Sequence, residues 1–428
     1  MQLTKMPKYD AYKDSGVEWL GEIPEGWNAS RLGGEFLERK EKVSDKDYEP
    51  LSVTKLGIVP QLDNAAKTND GDNRKLVKKG DFVINSRSDR KGSSGISYLD
   101  GSVSLINLVL KPITIKAPFC NYLLKSYAFI EEFYRNGHGI VADLWTTRYW
   151  DMKSIILPIP PTHEQTLIAK YLDQKTSQID KAIEIKHKQI ELLKEQKQIV
   201  INEAVTKGLD KDVEFKDSGI EWIGEIPQGW EVKKAKYIFT EINQRSETGS
   251  EELLSLSKYK GIIPKSSLEE RAGLASTLVG YKKVFANTLV INKMQAVNGL
   301  LAVSNINGIT SPDYSIYSTS SSKYNVHYYG YLLSRDIYLS EFKKVVTGVM
   351  EGFIRLYTDD LYNIKMIVPS TLDQQQIVAY IEEKTSKIDK AIELQHNQID
   401  KLKEYKASLI NSVVTGKVRV TDEMVEGV

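Results

Sequence analysis

Cysteine is almost absent: Cys120 is the only one in 428 residues. A disulfide framework and a cysteine metal site are therefore excluded. Histidine is also scarce. His138, His163, His187, His327 and His396 are scattered with no metal-ligand spacing, so no metal site is expected. No apolar run is long enough to span a membrane, and the opening MQLTKMPKYD has no apolar core of the kind a signal peptide needs. A reduced, cytoplasmic setting is the expectation. Excess charge is lacking too: 58 basic against 57 acidic residues leave a net charge of +1, so any nucleic-acid-facing charge must be local. Catalytic signatures are missing as well. There is no GxxxxGK[ST] phosphate loop, no glycine-rich cofactor turn and no NPPY-like amine-methylation motif. Two ExK triplets, at Glu184–Lys186 and Glu195–Lys197, lie in Lys/Glu-rich helical sequence where chance supplies them.

What is present is a duplication. KDSGVEWLGEIPEGW, from Lys13 to Trp27, returns as KDSGIEWIGEIPQGW, from Lys216 to Trp230, with twelve of fifteen positions identical. Large aromatics beside Gly and Pro turns are usually core, so Trp19, Trp27, Trp222 and Trp230 are expected to pack each opening strand on a helix end.

Two stretches, Thr162 to about Thr206 and Thr371 to about Thr415, read as long helices. Neither contains Pro or Gly, and Lys, Glu, Gln and Leu dominate them. Leu172, Thr176, Ile179, Ile183, Lys186, Ile190, Leu193, Lys197, Val200 and Ala204 step by four and three, the spacing of a coiled-coil seam. Ile381, Thr385, Ile388, Ile392, Gln395, Ile399, Leu402, Lys406, Leu409 and Val413 repeat it at a constant offset of 209 (381 − 172 and 413 − 204). Thr162 with Gln165, and Thr371 with Gln374, fit a capping box, and Gly208 and Gly416 mark the far ends. About 44 residues at ~1.5 Å each make roughly 65 Å of helix. One seam needs one partner, and polar seam positions such as Lys186 and Gln395 fix register at a cost in stability. Domain termini commonly lie close together. The end of the first helix should then meet the start of the second, which makes the pair antiparallel.

The fold class expected is α+β: two mixed α/β domains separated by two long helices in an antiparallel coiled coil, a pseudo-twofold tandem duplication. The segments are 1–157 (first domain), 158–208 (first helix), 209–367 (second domain), 368–418 (second helix) and 419–428 (tail). Between shared edges the domains diverge. The strand core VIN recurs at Val83–Asn85 and Val290–Asn292, but SRSDRKGSSG follows one and KMQAVNG the other. CNYLLKSYAFIEEFY and VHYYGYLLSRDIYLSEF read as amphipathic helices. Two modules that share a scaffold and differ in loops suit two versions of one kind of ligand.

Charge locates candidate contacts. From Arg74 to Lys91 seven basic residues stand against Asp81 and Asp89; from Arg271 to Lys293 there are four basic and no acidic residues. Such strips would neutralise phosphates, and loop Arg, Gln and Asn would read base edges. The candidates are Arg87, Arg90, Lys91, Lys293 and Gln295, with Arg148 and Arg355 in late loops beside aromatics, and Lys55, Lys258 and Lys260 in matched KxG loops. Taken singly, each is more often a solvated surface charge.

PIPPTHEQTLIAKYLDQKTSQIDKAI, VPSTLDQQQIVAYIEEKTSKIDKAI and the paired KDSG-EW-GEIP-GW openings together resemble the specificity subunits of type I restriction-modification systems, over nearly the whole chain. Pro369-Ser370 in place of Pro160-Pro161, and Asp373 in place of Glu164, are mild departures. The resemblance implies that each domain is a target-recognition domain reading one half of an asymmetric, bipartite double-stranded DNA site. It implies that the helices set the spacer and dock methyltransferase (modification) subunits, two of them. S-adenosylmethionine chemistry then belongs to those subunits, and ATP hydrolysis with Mg and cleavage to restriction (translocase) subunits. The chain itself is expected to be non-catalytic and to bind no cofactor. Major-groove faces on one side of DNA lie ~34 Å apart, within reach of helices of this length. The competing readings are a coiled-coil scaffold with two protein-binding domains, and a self-sufficient DNA enzyme.

Overall fold

The computed structural model describes residues 6–63, 71–139, 145–258, 260–268, 277–346 and 354–426. It divides into two compact units, 1–187 with 395–428, and 188–394. Each unit takes one mixed α/β domain together with half of each long helix.

In the first unit a four-stranded antiparallel sheet runs in the order Ser94–Ile96, Phe82–Asn85, Asn107–Pro112, Phe36–Glu38. Asn107 stands opposite Asn85. A three-stranded sheet, Gly101–Val103, Arg74–Val77 and Lys42–Val43, lies beside it in sequence. The second unit repeats the four-stranded order with Leu301–Ser304, Thr288–Asn292, Tyr314–Thr319 and Phe239–Ile242. The VIN strands are buried on both faces, as a near-continuous apolar run requires.

Each expected amphipathic helix is in fact two. Ala117–Leu124 is followed by Tyr127–Arg135, and Val326–Leu333 by Asp336–Val345. Ser126 explains the break in the first domain: its Oγ accepts from the Phe129 amide at 3.3 Å, so it caps a new helix instead of continuing the old one. One apolar face across both helices looks continuous in sequence because the corner preserves it.

The long helices span Thr162–Lys207 and Thr371–Val414. In the first unit, the N-terminal half of the first packs on the C-terminal half of the second. Leu172, Ile179 and Leu409 share a core, with Ile183 and Leu402 against it. In the second unit Ile201, Ala204 and Val205 share a core with Ile377 and Ile381. The helices are antiparallel in each. Ile190, Ile388 and Ile399 are buried, while Leu193, Val200 and Ile392 are half-buried; no seam position is exposed. The polar positions pair across the seam. Lys186 Nζ donates to Gln395 Oε1 at 3.1 Å, so residues equivalent by duplication meet there. Lys406 bonds both Asp180 oxygens at 2.7 Å, and Lys197 does the same to Asp389.

The capping boxes are not formed. Both long helices start a residue early for that motif, and Gln165 and Gln374 are buried instead. Gln165 donates to the Pro160 carbonyl at 2.9 Å and accepts from the Lys116 amide at 2.8 Å. Gln374 donates to the Pro369 carbonyl at 2.9 Å and accepts from the Asn325 amide at 2.7 Å. Each glutamine thus ties a long helix to the start of a domain helix. A buried amide needs all its partners, and tertiary ones displaced the local one.

The matched openings serve the same joint. Trp27 Nε1 donates to Glu164 at 3.0 Å and Trp230 Nε1 to Asp373 at 3.3 Å, in the first turn of each long helix. Gly416, at φ +75, lies where a Cβ would come within 2.3 Å of Pro24, so chain reversal and packing both require glycine there.

Candidate nucleic-acid interface

A concave site of about 560 Å³ opens on the first domain. Its floor comes from the sheets: Glu38, Lys75 and Leu108. Its walls come from the loop after Phe82–Asn85, carrying Ser86 and Arg87, and from the loop leading to the last domain helix, carrying Thr146 to Trp150. Arg87 bridges Thr146 in antiparallel fashion, and the Thr147 amide donates to the Ser86 carbonyl at 2.9 Å. Two segments some sixty residues apart in sequence are thereby held side by side.

Charge at this site is mostly positive. Lys40, Lys75, Arg87, Arg148 and Lys153 line it against Glu38 alone. Lys75 Nζ donates to the Asn107 carbonyl at 2.8 Å and stands 3.9 Å from Glu38, which also faces Lys40 at 3.3 Å. Burial pushes the Lys75 ammonium below the usual lysine range, with Glu38 opposing the shift. Trp150 is 73% exposed, and Lys153 Nζ sits 3.3 Å from its ring centroid.

The second domain keeps the floor and changes the walls. Lys282 and Glu241 occupy the places of Lys75 and Glu38, 3.2 Å apart. Glu241 also accepts from Thr358 Oγ1 at 2.8 Å. The Leu356 amide donates to the Lys293 carbonyl at 3.0 Å, the counterpart of Thr147 on Ser86. Lys293 therefore corresponds to Ser86, and Arg87 to Met294. Arg148 and Tyr357 both precede a short helix whose third residue, Asp151 or Asp360, accepts the amide of that preceding residue. Arg355 thus matches Thr146, not Arg148. Arg355 pairs with Asp313 at 3.4 Å. Burial and Lys282 hold Lys293 below the usual lysine range.

The remaining sequence candidates divide. Lys91 pairs with Glu131 at 2.7 Å and Arg90 with Asp89 at 3.7 Å. Lys55, Lys258 and Lys260 are exposed on the turns of matched hairpins, and Lys55 is not among the cavity-lining residues. Gln295 is exposed, and its Oε1 accepts from Asn298 at 2.8 Å. Arg271 lies outside the described residues. Sequence reasoning did not single out Glu38, Lys40, Lys75, Trp150 or Lys153. Recurrence of Lys75 as Lys282 and of Glu38 as Glu241 was the available signal, hidden because the offsets differ (282 − 75 = 207; 241 − 38 = 203). Among the described residues no cluster of three His, Cys, Asp or Glu is placed to hold a metal, and no helix is long and apolar enough to cross a membrane.

The first domain thus carries a loop-walled basic concavity, and the second keeps the Lys–Glu pair on matching strands with different residues around it. Comparison supplies relatives. No protein-family model matches the chain. The type I restriction enzyme MjaVIII specificity subunit of Methanocaldococcus jannaschii is 25% identical over 441 aligned positions, covering 93% of this chain and 94% of that protein. The putative MjaX specificity subunit of the same organism is 24% identical, covering 94% and 96%. Among solved structures, the fold matches a chain from a study of the assembly and conformational transition of a type I R-M system, with TM-score 0.65, 15% identity and coverage of 92% and 98%. It also matches the HsdS subunit of Thermoanaerobacter tengcongensis, with TM-score 0.53, 14% identity and the same coverage. Along nearly its whole length the chain is similar in sequence to these two specificity subunits, and it shares the fold of the two solved structures.

Proposed function

We propose that this chain is the DNA-specificity subunit of a type I restriction-modification complex and is itself non-catalytic. Each domain reads one half of a bipartite site, the first through the loop-walled concavity over its Lys–Glu floor and the second through the loops around the matching Lys–Glu pair. The observation that carries this is the pairing of a retained floor, Lys75–Glu38 and Lys282–Glu241, with exchanged walls. A reader of two different sequences needs that division: fixed geometry for register, variable side chains for bases.

The helices hold the two readers at a set separation and dock two modification subunits, while restriction subunits join through them. S-adenosylmethionine, ATP and Mg reside on those partners. Exposed Leu192 and Ile199 on the first helix and Leu394 on the second offer apolar contact for docking. The scaffold alternative gains nothing from a cavity lined by five cations and one carboxylate.

Selection of bound duplexes from a random library by the chain assembled with its modification subunit tests the reading. The expected product is two short unlike motifs at fixed spacing, with the spacing shortened when one heptad is removed from both helices. Recovery without sequence preference rejects the function, and unchanged spacing in the shortened variant rejects the ruler.

A further inference from the structure

In the first domain the backbone under Arg87 and Arg148 is pinned while their side chains are not. The Arg87 amide donates to Asn85 Oδ1 at 3.0 Å, and the Arg148 amide to Asp151 Oδ2 at 3.0 Å. Between them, Thr147 is buried, and its hydroxyl donates to the Phe133 carbonyl at 3.0 Å. Both guanidinium groups reach the cavity wall with no hydrogen-bond or charge partner among the described residues. A guanidinium is a planar fork of five donors that matches two adjacent acceptors. On DNA such acceptors are a phosphate or the O6/N7 edge of guanine.

The cavity itself discriminates between these. Glu38 lies in its floor, only 11% exposed, where an incoming phosphate would meet its carboxylate. A base edge carries no such charge. Leu105, Ile106 and exposed Trp150 add apolar surface suited to a base and wasted on a phosphate. The second domain has Met294 in place of Arg87, Tyr357 in place of Arg148 and Asp359 in place of Trp150, and its Arg355 is already paired with Asp313.

We propose that Arg87 and Arg148 each read a guanine in the half-site taken by the first domain, and that the second domain reads its half-site without arginine forks at these positions. This rests on the DNA-reading function above. Duplex selection with the full chain and its modification subunit tests it, using Arg87→Ala, Arg148→Ala and the corresponding lysine variants. Circular dichroism melting confirms that each variant folds. Each alanine variant should lose about ten- to hundredfold preference for guanine at one position of one half-site. The other half-site should stay intact. Lysine should recover affinity without recovering the preference, because it is a point charge without the fork. The assignment is overturned if neither half-site contains guanine, or if the motif is unchanged in the variants. Uniform weakening across all sequences with a reduced salt slope also overturns it, since that marks a phosphate contact. A wild-type complex with no sequence preference would remove the DNA-reading function, and this assignment with it.

Discussion

The first domain builds its core on phenylalanine where the second uses tyrosine. Phe119 and Phe129 lie on the first domain's helix pair, and Tyr328 and Tyr338 occupy the matching places, all fully buried. Cys120 is answered by Tyr329 and Leu110 by Tyr317. Two of the added phenols are hydrogen-bonded to backbone groups. Tyr328 donates to the Val205 carbonyl of the first long helix at 2.8 Å, and Tyr338 accepts from the Ile367 amide at 3.2 Å. The same backbone therefore tolerates two cores of different polarity, even though the Tyr329 hydroxyl has no partner among the described residues.

The largest expected effect concerns the helix joints. Trp27 is 1% exposed, bonded to Glu164, and packed edge-on against Tyr9 at 5.7 Å; Tyr9 also donates to Glu164. Among the described residues the Trp230 indole bonds Asp373, and Asp212 stands where Tyr9 would be. Trp27→Ala should cost about 3–5 kcal/mol, and Trp230→Ala measurably less, read from urea unfolding. Equal losses would mean that the Tyr9 contact contributes nothing.

A second prediction uses pH. Burial first, with Glu241 adding, pushes the Tyr317 phenol up to about 12, and burial raises Tyr328 well above its ordinary value. A folded pKa raised above the unfolded value of about 10 gives stability that is fully present below pH ~10. It is lost as pH rises through the folded value. Burial likewise raises Cys120, Tyr122 and Tyr134 of the first unit, so both units should lose protection on alkaline titration, followed by pulsed proteolysis with fragment mapping. Alkaline loss confined to one unit would break the comparison.

Tyr329 sharpens it. Its hydroxyl is buried without a partner among the described residues, and burial raises its pKa. Tyr329→Phe should stabilise the protein by roughly 1 kcal/mol at neutral pH and move the alkaline midpoint upward. A loss of stability would reveal an ordered water on that hydroxyl. The smallest effects belong to the helix pair. Lys406→Ala and Lys197→Ala each remove a partly exposed ion pair and should cost about 0.2–1 kcal/mol. The two losses should match and shrink together in salt.

Much of this was legible in the sequence. The alternating four-and-three spacing located both helices and their facing residues, because a seam is written in one-dimensional periodicity. The fifteen-residue repeat located the joints. Two things were not legible. Gln165 and Gln374 looked like local caps but serve tertiary clamps, since partners at residues 116 and 325 leave no trace at short range. The concave site was only half visible. Arg87 and Arg148 stood out by charge, but Glu38 and Lys75 come from other strands, and unequal insertions between the copies hid their recurrence. The same insertions made Arg355 look like the partner of Arg148.

The most direct test of the central claim is methylome sequencing of a methylation-free host expressing this chain with its modification subunit. The account predicts one modified motif made of two unlike parts separated by a fixed gap, with modification lost when the chain is omitted. A single continuous motif, or modification independent of this chain, would contradict it.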